Sequence, residues 1–351
     1  MAETCANPLA ARAAVDFVLS LRRGWANTLY PRLRKEFDER SATSASGEQP
    51  LVQSVHELPS YPWFAWLERG AQKMLWRAVS DSIGEADTRR TEEIAPASLK
   101  LDPSLALPAW YTDWDIHLQP GGVWSHDRSA AVYELGAQLV MLGENDDYRF
   151  HRLFCETALP QRDYARIIDL GCGFGKSTWP LKARFADAEV IGVDLAAPCL
   201  RLAAQRAGER GLAIDFLQAD SCATGIAASS AQLVTSTMLV HELPVTVLPD
   251  LFAETARLLA PGGVLRFLDF QLTGDRFRDL AMLEHGARNN EPFMPPMLKA
   301  DLVAMAHAAG LVDARWVAFD ERSRGRLETL RWPVRAEWHF PWAVLEAEKP
   351  G

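Results

Sequence analysis

Three acids and a histidine stand at the ends of consecutive apolar runs in the second half of the chain. They are Asp169, Asp194, Asp220 and His241, and each preceding run predicts a buried strand. In an open α/β sheet, side chains at the carboxyl ends of parallel strands border the ligand site. A carboxylate there accepts hydrogen bonds, and a histidine can move a proton near physiological pH. The spacing therefore predicts a ligand site at this edge of a sheet.

The first of these acids is followed by a turn with glycines at alternate positions. Residues 166–177 read RIIDLGCGFGKS. The glycines are Gly171, Gly173 and Gly175. A phosphate-binding P-loop would need a glycine where Leu170 stands, so Gly-Lys-Ser is read as incidental. A dinucleotide fingerprint would need its third glycine where Lys176 stands. The remaining pattern, Asp-x-Gly-x-Gly-x-Gly, puts Asp169 at a strand end, where it could pair with a cationic ligand amine.

The next two strands also end in acids. Asp194 closes the run EVIGVD, and a carboxylate there can accept hydrogen bonds from both hydroxyls of a ribose. NAD enzymes carry an acid at the same place, so Asp194 alone does not choose the cofactor. Asp220 follows the third strand, where it either contacts a ligand or forms a turn.

The fourth strand is followed by the segment LVHEL at residues 239–243. His241 is the best-placed titratable group for a general base, because its reference pKa lies near physiological pH. The alternative is that His241 and Glu242 only orient the loop.

The order of these features resembles the class I S-adenosylmethionine-dependent methyltransferases, in particular those that methylate carbon or oxygen of small molecules. The glycine turn is similar to their motif I, and LAPGG at 259–263 is similar to the turn before their fifth strand. The Asn/Asp-Pro-Pro-Tyr tetrapeptide of amino-methylating enzymes does not follow the fourth strand, which disfavours amine and nucleobase acceptors. The resemblance covers roughly residues 145–349 and none of the chain before them.

The resemblance implies S-adenosylmethionine as the cofactor and S-adenosylhomocysteine as its product. It implies that Asp220 bonds the adenine amino group. His241, the best-placed titratable group, is the candidate catalytic residue. The expected cofactor contacts are Asp169, Gly171, Gly173, Gly175, Asp194, Leu195, Asp220, Ser221 and Met238. No cluster of ligating side chains predicts a metal site.

Candidate substrate contacts come from the loops and from a long insertion at residues 270–296. In the resembled family, insertions at this place often cap the substrate cavity. The candidates are Trp124, His126, Tyr148, Glu242 and His285. Many of the 12 tryptophans lie in the first part of the chain, including those of a helical run at 63–76. They either pack in a core or form the apolar wall of a substrate cavity.

From residue 166 onward, apolar runs alternate with helical runs, which predicts an α/β fold with a doubly wound, mostly parallel sheet. The resemblance implies the seven-stranded, Rossmann-like methyltransferase form of that sheet. The expected strands are 166–170, 189–194, 213–218, 231–237, 263–269, 313–319 and 338–347. Residues 96–124 are rich in Pro, Trp and Asp, and their prolines and glycines predict that they are mostly loop. We expect a mainly helical domain at 1–145, for substrate binding, closure or dimerisation, and the cofactor-binding domain at 146–351.

The amino-acid composition limits the kinds of partner and cellular location that we expect. A net charge of −9 argues against a broad nucleic-acid surface. The five cysteines are scattered and predict free thiols in a reducing cytoplasm. No secretory leader is recognised, and no run of 18 apolar residues predicts a membrane span. A homodimer is compatible with the sequence.

These features predict methyl transfer from S-adenosylmethionine to carbon or oxygen of a small, fairly apolar acceptor, secondary metabolites included. One alternative is a protein that binds the same cofactor but catalyses a cyclisation or rearrangement. The other is an NAD-dependent oxidoreductase, which Lys176 at the third glycine position disfavours.

Overall fold

The computed structural model describes residues 8–43, 51–84, 95–142 and 146–351. A nine-stranded sheet with the order β1-β4-β3-β2-β5-β6-β9-β7-β8 forms its centre. The strands are β1 (Ser98–Lys100), β2 (Arg166–Leu170), β3 (Glu189–Asp194), β4 (Asp215–Gln218), β5 (Ala231–Thr237), β6 (Leu259–Phe270), β7 (Val312–Asp320), β8 (Gly325–Arg326) and β9 (Trp342–Glu348).

The mostly parallel sheet is confirmed. The neighbouring pairs from β1 to β6 are all parallel, which requires a crossover between consecutive strands. The last strand, β9, lies between β6 and β7 and is antiparallel to both. The carboxyl ends of β2, β3, β4 and β5 therefore share one edge.

The expected number of seven strands was too low. Ser98–Lys100 lies within the segment predicted as loop, yet it pairs in parallel with Asp215–Leu217 at the edge of the sheet. β8 consists of two residues that pair antiparallel with Phe319 and Asp320. Both additions are very short, and such strands are fixed by the neighbouring edge rather than by a periodic sequence pattern.

The helices connect the strands and form most of the N-terminal part. They are α1 (Pro8–Gly24), α2 (Tyr30–Thr43), α3 (Leu51–His56), α4 (Tyr61–Ser82), α5 (Ala109–Thr112), α6 (Asp127–Val140), α7 (Arg149–Ala158), α8 (Thr178–Arg184), α9 (Ala197–Glu209), α10 (Leu248–Leu258), α11 (Arg276–Arg288), α12 (Met294–Leu298) and α13 (Leu302–Ala308). No helix within the described ranges is both long enough and apolar enough to cross a membrane.

A π-helical segment, Trp25–Leu29, joins α1 to α2, and the Tyr30 N–H donates to the carbonyl of Trp25. Pro31 predicts a break or restart of the first helical run, because it has no N–H to donate to the preceding turn. The polar sequence at 41–50 predicts a loop. Most of that segment lies outside the described residues, and α2 extends to Thr43.

The turn predicted before the fifth strand is a bulge within β6. Ala231 pairs with Leu259, but Leu233 pairs with Val264, so the intervening residues of β6 leave the regular register. Gly262 has a φ of +70° there, which glycine adopts at little steric cost.

The N-terminal part and the sheet share one apolar core. The Trp25 ring stacks on Phe64 with centroids 4.9 Å apart, and its other neighbour is Trp338, at 5.4 Å. The Trp338 N–H also donates to the carbonyl of Ala26 at 2.9 Å. The helical N-terminal part thus packs directly against the segment that precedes β9. A domain division near residue 145 stays a prediction.

Candidate active site

A cavity lies at the carboxyl ends of β2 to β5, and we name it the glycine-turn cavity. It encloses about 720 Å³, part of it open to solvent. Most of the predicted cofactor contacts line it: Gly171, Gly173, Asp194, Leu195, Asp220, Ser221 and Met238. A cavity therefore lies at the edge of the sheet where the spacing of the strand ends predicted a ligand site. Two predicted contacts, Asp169 and Gly175, are not in its wall.

Asp194 fixes the glycine turn and also faces this cavity. Its Oδ2 accepts the Gly173 N–H at 2.8 Å, and its Oδ1 accepts the Ala196 N–H at 2.8 Å. A carboxylate has about four acceptor positions, so these bonds leave capacity for two ribose hydroxyls. Burial raises the pKa of Asp194 to about 6.

The structure shows which groups hold the Asp169 side chain. Its side chain is fully buried, and its Oδ2 accepts the hydroxyls of Ser177 at 2.6 Å and Thr178 at 2.7 Å. Burial raises the pKa of Asp169 to about 6. The carboxyl group thus ties β2 to the start of α8. Its Oδ1 is buried and has no hydrogen-bond partner among the described residues, and its contact with a ligand amine stays a prediction.

The glycines of the turn have different structural reasons. Gly171 and Gly173 have φ values of +69° and +53° and contribute backbone to the wall. Gly175 has a φ of +90°, and a Cβ there would lie 2.8 Å from the indole Nε1 of Trp179. Gly175 is thus required for packing on Trp179, whereas the first two glycines let the chain border the cavity.

Asp220 forms a turn and also borders the glycine-turn cavity. Its Oδ1 accepts the Cys222 N–H at 2.8 Å, which forms a turn after β4. Both Asp220 and Ser221 nevertheless line the glycine-turn cavity. A turn-forming Asp is thus also available to a ligand.

A second cavity adjoins the first, and we name it the aromatic cavity. It encloses about 650 Å³. The two cavities share four wall residues: Tyr133, Lys176, Met238 and Glu242. Its largest apolar wall residues are Trp76, Phe270, Met294, Phe340 and Trp342. A ligand in the aromatic cavity would therefore meet a ligand of the glycine-turn cavity at the shared residues.

His241 lies in the wall of the aromatic cavity and is bonded to Asp269. Its Nδ1 is 2.7 Å from Asp269 Oδ1, and the Val240 N–H donates to Asp269 Oδ2 at 2.8 Å. Burial disfavours the protonated ring, but the charge and hydrogen bond of Asp269 outweigh it, so the pKa of His241 is raised. In neutral His241, a proton on Nδ1 that is donated to Asp269 leaves Nε2 as the acceptor. This arrangement suits a general base.

A second histidine, His117, is held between two carboxylates. Its Nδ1 is 2.9 Å from Glu291 Oε1, and its Nε2 is 3.0 Å from Glu242 Oε1. Burial opposes protonation, but the two carboxylates outweigh it and raise the pKa of His117 to about 10. Both ring nitrogens of the resulting imidazolium donate hydrogen bonds, so His117 links the two carboxylates and is not available as a base. Glu242, a predicted substrate contact, is one of these two carboxylates.

Lys176 was missed as a functional residue because its Gly-Lys-Ser context was read as incidental. Its Nζ donates to the Tyr133 hydroxyl at 3.2 Å and lies 5.1 Å from the centre of that ring. Burial lowers the pKa of Lys176 to about 8. The ammonium lines both cavities, at the place where they meet. The signal that could have found it is its position immediately after the third glycine.

The remaining substrate candidates are distributed differently. His285 lines the aromatic cavity, and Trp124 lines a smaller neighbouring cavity that also includes His117 and Glu242. His126 instead caps α6, because its Nδ1 accepts the Ser129 N–H at 3.0 Å. Tyr148 packs edge-on against Trp179 with centroids 4.9 Å apart. His126 and Tyr148 thus lie outside the walls of both cavities, because His126 caps a helix and Tyr148 packs against Trp179.

Within the described parts of the chain, no group of three or more His, Cys, Asp or Glu side chains is arranged to hold a metal ion.

Comparison with known proteins identifies the domain. Residues 167–263 match the family described as "Methyltransferase domain". The chain is 35% identical over 141 residues to demethylmenaquinone methyltransferase of Thermus thermophilus, covering 40% of this chain and 62% of that protein. It is 39% identical over 109 residues to trans-aconitate 2-methyltransferase of an Azoarcus species, covering 30% and 40%. It is 40% identical over 103 residues to geranyl diphosphate 2-C-methyltransferase of Saccharopolyspora erythraea, covering 28% and 34%.

The family match contains the glycine turn, Asp194, Asp220 and His241. The chain therefore contains a methyltransferase domain, as the resemblance of its glycine turn and strand ends predicted. It spans less than two thirds of the length of each of the three relatives.

Proposed function

We propose that the protein transfers the methyl group of S-adenosylmethionine to a carbon or oxygen atom of a small acceptor bound in the aromatic cavity. The observation that carries this proposal is the contact between the two cavities. One has the strand ends and glycine turn of a methyltransferase domain, and the other contains a histidine positioned as a base. The relatives named above are methyltransferases whose names describe small molecules, which supports an acceptor of this kind.

The glycine-turn cavity has the groups that the cofactor requires. Asp194 has free acceptor positions for the ribose hydroxyls, and Asp220 and Ser221 offer polar contacts for the adenine. Backbone at Gly171 and Gly173 gives close access. When bound, S-adenosylmethionine supplies an activated methyl group on a sulfonium, and S-adenosylhomocysteine is left after transfer.

In the aromatic cavity, His241 takes the proton of an acceptor hydroxyl or acidic C–H on Nε2. Asp269 stabilises the imidazolium that forms and holds the ring in the required orientation. The apolar side chains orient the acceptor and reduce its contact with water, which contributes to transfer by proximity. His241 alone accepts the proton that the acceptor loses, and no other group is needed for this step.

Replacement of His241 tests this assignment. His241→Ala should lower methyl transfer by about 100-fold or more, because general base catalysis typically contributes that much. Affinity for S-adenosylmethionine should stay close to that of the native protein, since the ring lies in the other cavity. The measurements are calorimetry with the cofactor and S-adenosylhomocysteine formation with a fractionated small-molecule extract as acceptor source.

The matched control is His307→Ala, because His307 is exposed and bonds only to the nearby carbonyl of Leu311. Unchanged turnover in His241→Ala would remove His241 as the base. Failure of the native protein to bind S-adenosylmethionine would refute the proposed function itself. Cofactor binding without S-adenosylhomocysteine formation would instead favour a non-methylating reaction.

We also propose a cytoplasmic location. Among the described residues, Cys155, Cys172, Cys199 and Cys222 form no disulfide, as in proteins of reducing compartments. The division at residue 145 and a homodimer remain proposals. In that division, the N-terminal domain supplies Trp76, His117 and Tyr133 to the aromatic cavity.

A further inference from the structure

The aromatic cavity continues on the side away from the glycine turn into a third space, which we name the distal cavity. The distal cavity encloses about 650 Å³. The two share wall residues: Arg22, Gln72, Val140, His285, Phe340 and Trp342. Trp25 and Trp338 add further aromatic surface on the distal side. The combined space suits an elongated apolar molecule, and Arg22 is the strongest permanent charge at the junction.

Arg22 is only partly satisfied by the protein. Its Nη2 donates to the Val140 carbonyl at 3.0 Å, and its Nη1 donates to the side-chain oxygen of Gln72. Its Nε is buried and has no hydrogen-bond partner among the described residues. A guanidinium has five N–H donors, so two bonds leave donors for a ligand.

The two carboxylates in the wall of the distal cavity, Glu68 and Glu321, are already bonded to other cations. Glu68 is bonded by Arg288 and by His285, and Glu321 is paired with Arg335 at 2.6 Å. Among the described residues, no carboxylate forms an ion pair with Arg22. Burial lowers the pKa of Arg22 to about 10, so the side chain stays charged near neutral pH. The charge of Glu68 partly offsets this effect of burial, but that carboxylate is shared with Arg288 and His285, so a bound anion would further stabilise the Arg22 charge.

The carboxylates around the aromatic cavity already interact with its other cations. Glu242 and Glu291 hold the His117 imidazolium, and Asp269 faces His241. The charge of Glu242 also favours the ammonium of Lys176. These acids are therefore shared among other cations, and Arg22 is the permanent cation in the part of the wall that the aromatic and distal cavities have in common.

We propose that Arg22 binds a carboxylate of the methyl acceptor, which makes the acceptor an amphipathic organic acid. Its carboxylate would lie at the junction of the aromatic and distal cavities, and its apolar body would lie against Trp342 and Phe340. The carboxylate would accept from the planar guanidinium, a geometry that favours this anion. This inference rests on the proposed function, because it assigns the acceptor of that same site.

A structural role for Arg22 makes a different prediction. Its bond to the Val140 carbonyl falls on the last residue of α6, where a cation also interacts favourably with the helix dipole. If Arg22 only fixes α1 to α6, its replacement should change stability and should weaken acids and neutral ligands equally.

Pairs of acids and neutral amides separate the two roles. The probes are phenylacetate, 4-phenylbutyrate and 6-phenylhexanoate, each with its primary amide, and binding is followed without cofactor by tryptophan fluorescence, since Trp76 and Trp342 line the cavity. For at least one chain length, the acid should bind about tenfold or more tightly than its amide, as a charge-assisted hydrogen bond predicts. Arg22→Met should abolish this ratio and change amide affinity by no more than about twofold.

Arg23→Met is the matched control. Arg23 is the next residue of α1, is exposed, and donates to the Leu142 carbonyl at 3.0 Å, so it resembles Arg22 without lining a cavity. This variant should keep the native acid-to-amide ratio. Should Arg22→Met fail to fold, Arg22→Lys keeps the charge but loses the planar donor pair, and a reduced ratio would support the proposal.

Equal binding of acid and amide to the native protein at every chain length, including no binding of either, would overturn the proposal. An unchanged ratio in Arg22→Met or Arg22→Lys would overturn it as well, and so would an equal loss for acids and amides. Failure of the proposed function is distinguishable, because it appears as absent cofactor binding or absent S-adenosylhomocysteine formation. The acid-to-amide ratio needs neither.

Discussion

The glycine-turn cavity and the aromatic cavity meet at four residues but are built in different ways. The predicted wall residues of the glycine-turn cavity follow successive strand ends, from Gly171 to Met238. The second collects side chains from Arg22 in α1 to Trp342 in β9. A cofactor common to a whole class can be bound by a local, repeated pattern of strand ends. An acceptor peculiar to one protein is bound by residues that only the tertiary structure brings together.

The comparison predicts that the two cavities can be disabled separately. The largest effect is expected in the aromatic cavity. Asp269→Asn removes the charge beside His241, so kcat should fall by about 100-fold or more. Because Asp269 raises the pKa of His241, the ascending limb of the pH–kcat profile should move to lower pH. Affinity for S-adenosylmethionine should be unchanged.

The pH profile separates this effect from a general loss of structure, which would lower kcat without moving the limb. Asp187→Asn, an exposed acid, serves as the control and should alter neither quantity. A shift of the limb to higher pH would contradict the assignment of Asp269 as the group that raises the pKa of His241.

The next effect concerns the glycine-turn cavity. Asp194→Asn should weaken S-adenosylmethionine binding by about 10- to 100-fold, because hydrogen bonds from the ribose to a charged acceptor are lost. Binding of the neutral amide probes to the aromatic cavity should not change. Calorimetry measures both ligands, and Asp215→Asn, an exposed acid at the start of β4, is the control. An equal loss for the cofactor and the amides would mean that the two cavities are not independent.

These cavities also show what sequence could predict. Asp194 and Asp220 were found because each follows a recognisable strand, and parallel pairing brings such ends together. The pairing of His117 with Glu291 was not predicted, because the two residues lie 174 positions apart and no local pattern reports such a contact. The hydrogen bonds from Ser177 and Thr178 to Asp169 were not predicted, because a strand end does not reveal which direction its side chain takes.

A smaller effect follows from the pKa of Asp194, which burial raises to about 6. Only the ionised carboxylate accepts hydrogen bonds with both oxygens, so cofactor affinity should rise between about pH 5 and about pH 7 and then level off. The change should not exceed about tenfold per pH unit for a single proton. Calorimetry with S-adenosylhomocysteine, which lacks the sulfonium charge, avoids a contribution from that charge. The same titration of Asp194→Asn should be flat, and a persisting slope would assign the effect to another group.

The smallest effect concerns Lys176, which belongs to both cavities. Its pKa in the folded protein, about 8, lies below its ordinary value of 10.5 because burial disfavours the ammonium. Between these pH values the unfolded chain binds more protons at this residue, so its contribution makes the folded state more stable as pH rises. Below about pH 8 both states are protonated and the penalty is fully present.

Lys176→Met should therefore raise the free energy of unfolding at pH 7 by about 1 kcal/mol, since lost cation–π contacts with Tyr133 and Phe174 offset part of the relief. The gain should shrink as pH rises from about 8 to about 10, because the native lysine is then neutral in the folded state. Urea unfolding at pH 7 and at about pH 10 measures this gain in the free energy of unfolding. Lys299→Met, at an exposed lysine, is the control. A gain that grows with pH would contradict the burial of a charged ammonium between the two cavities. A loss at pH 7 would show that its contacts with Tyr133 and Phe174 outweigh the cost of burying it.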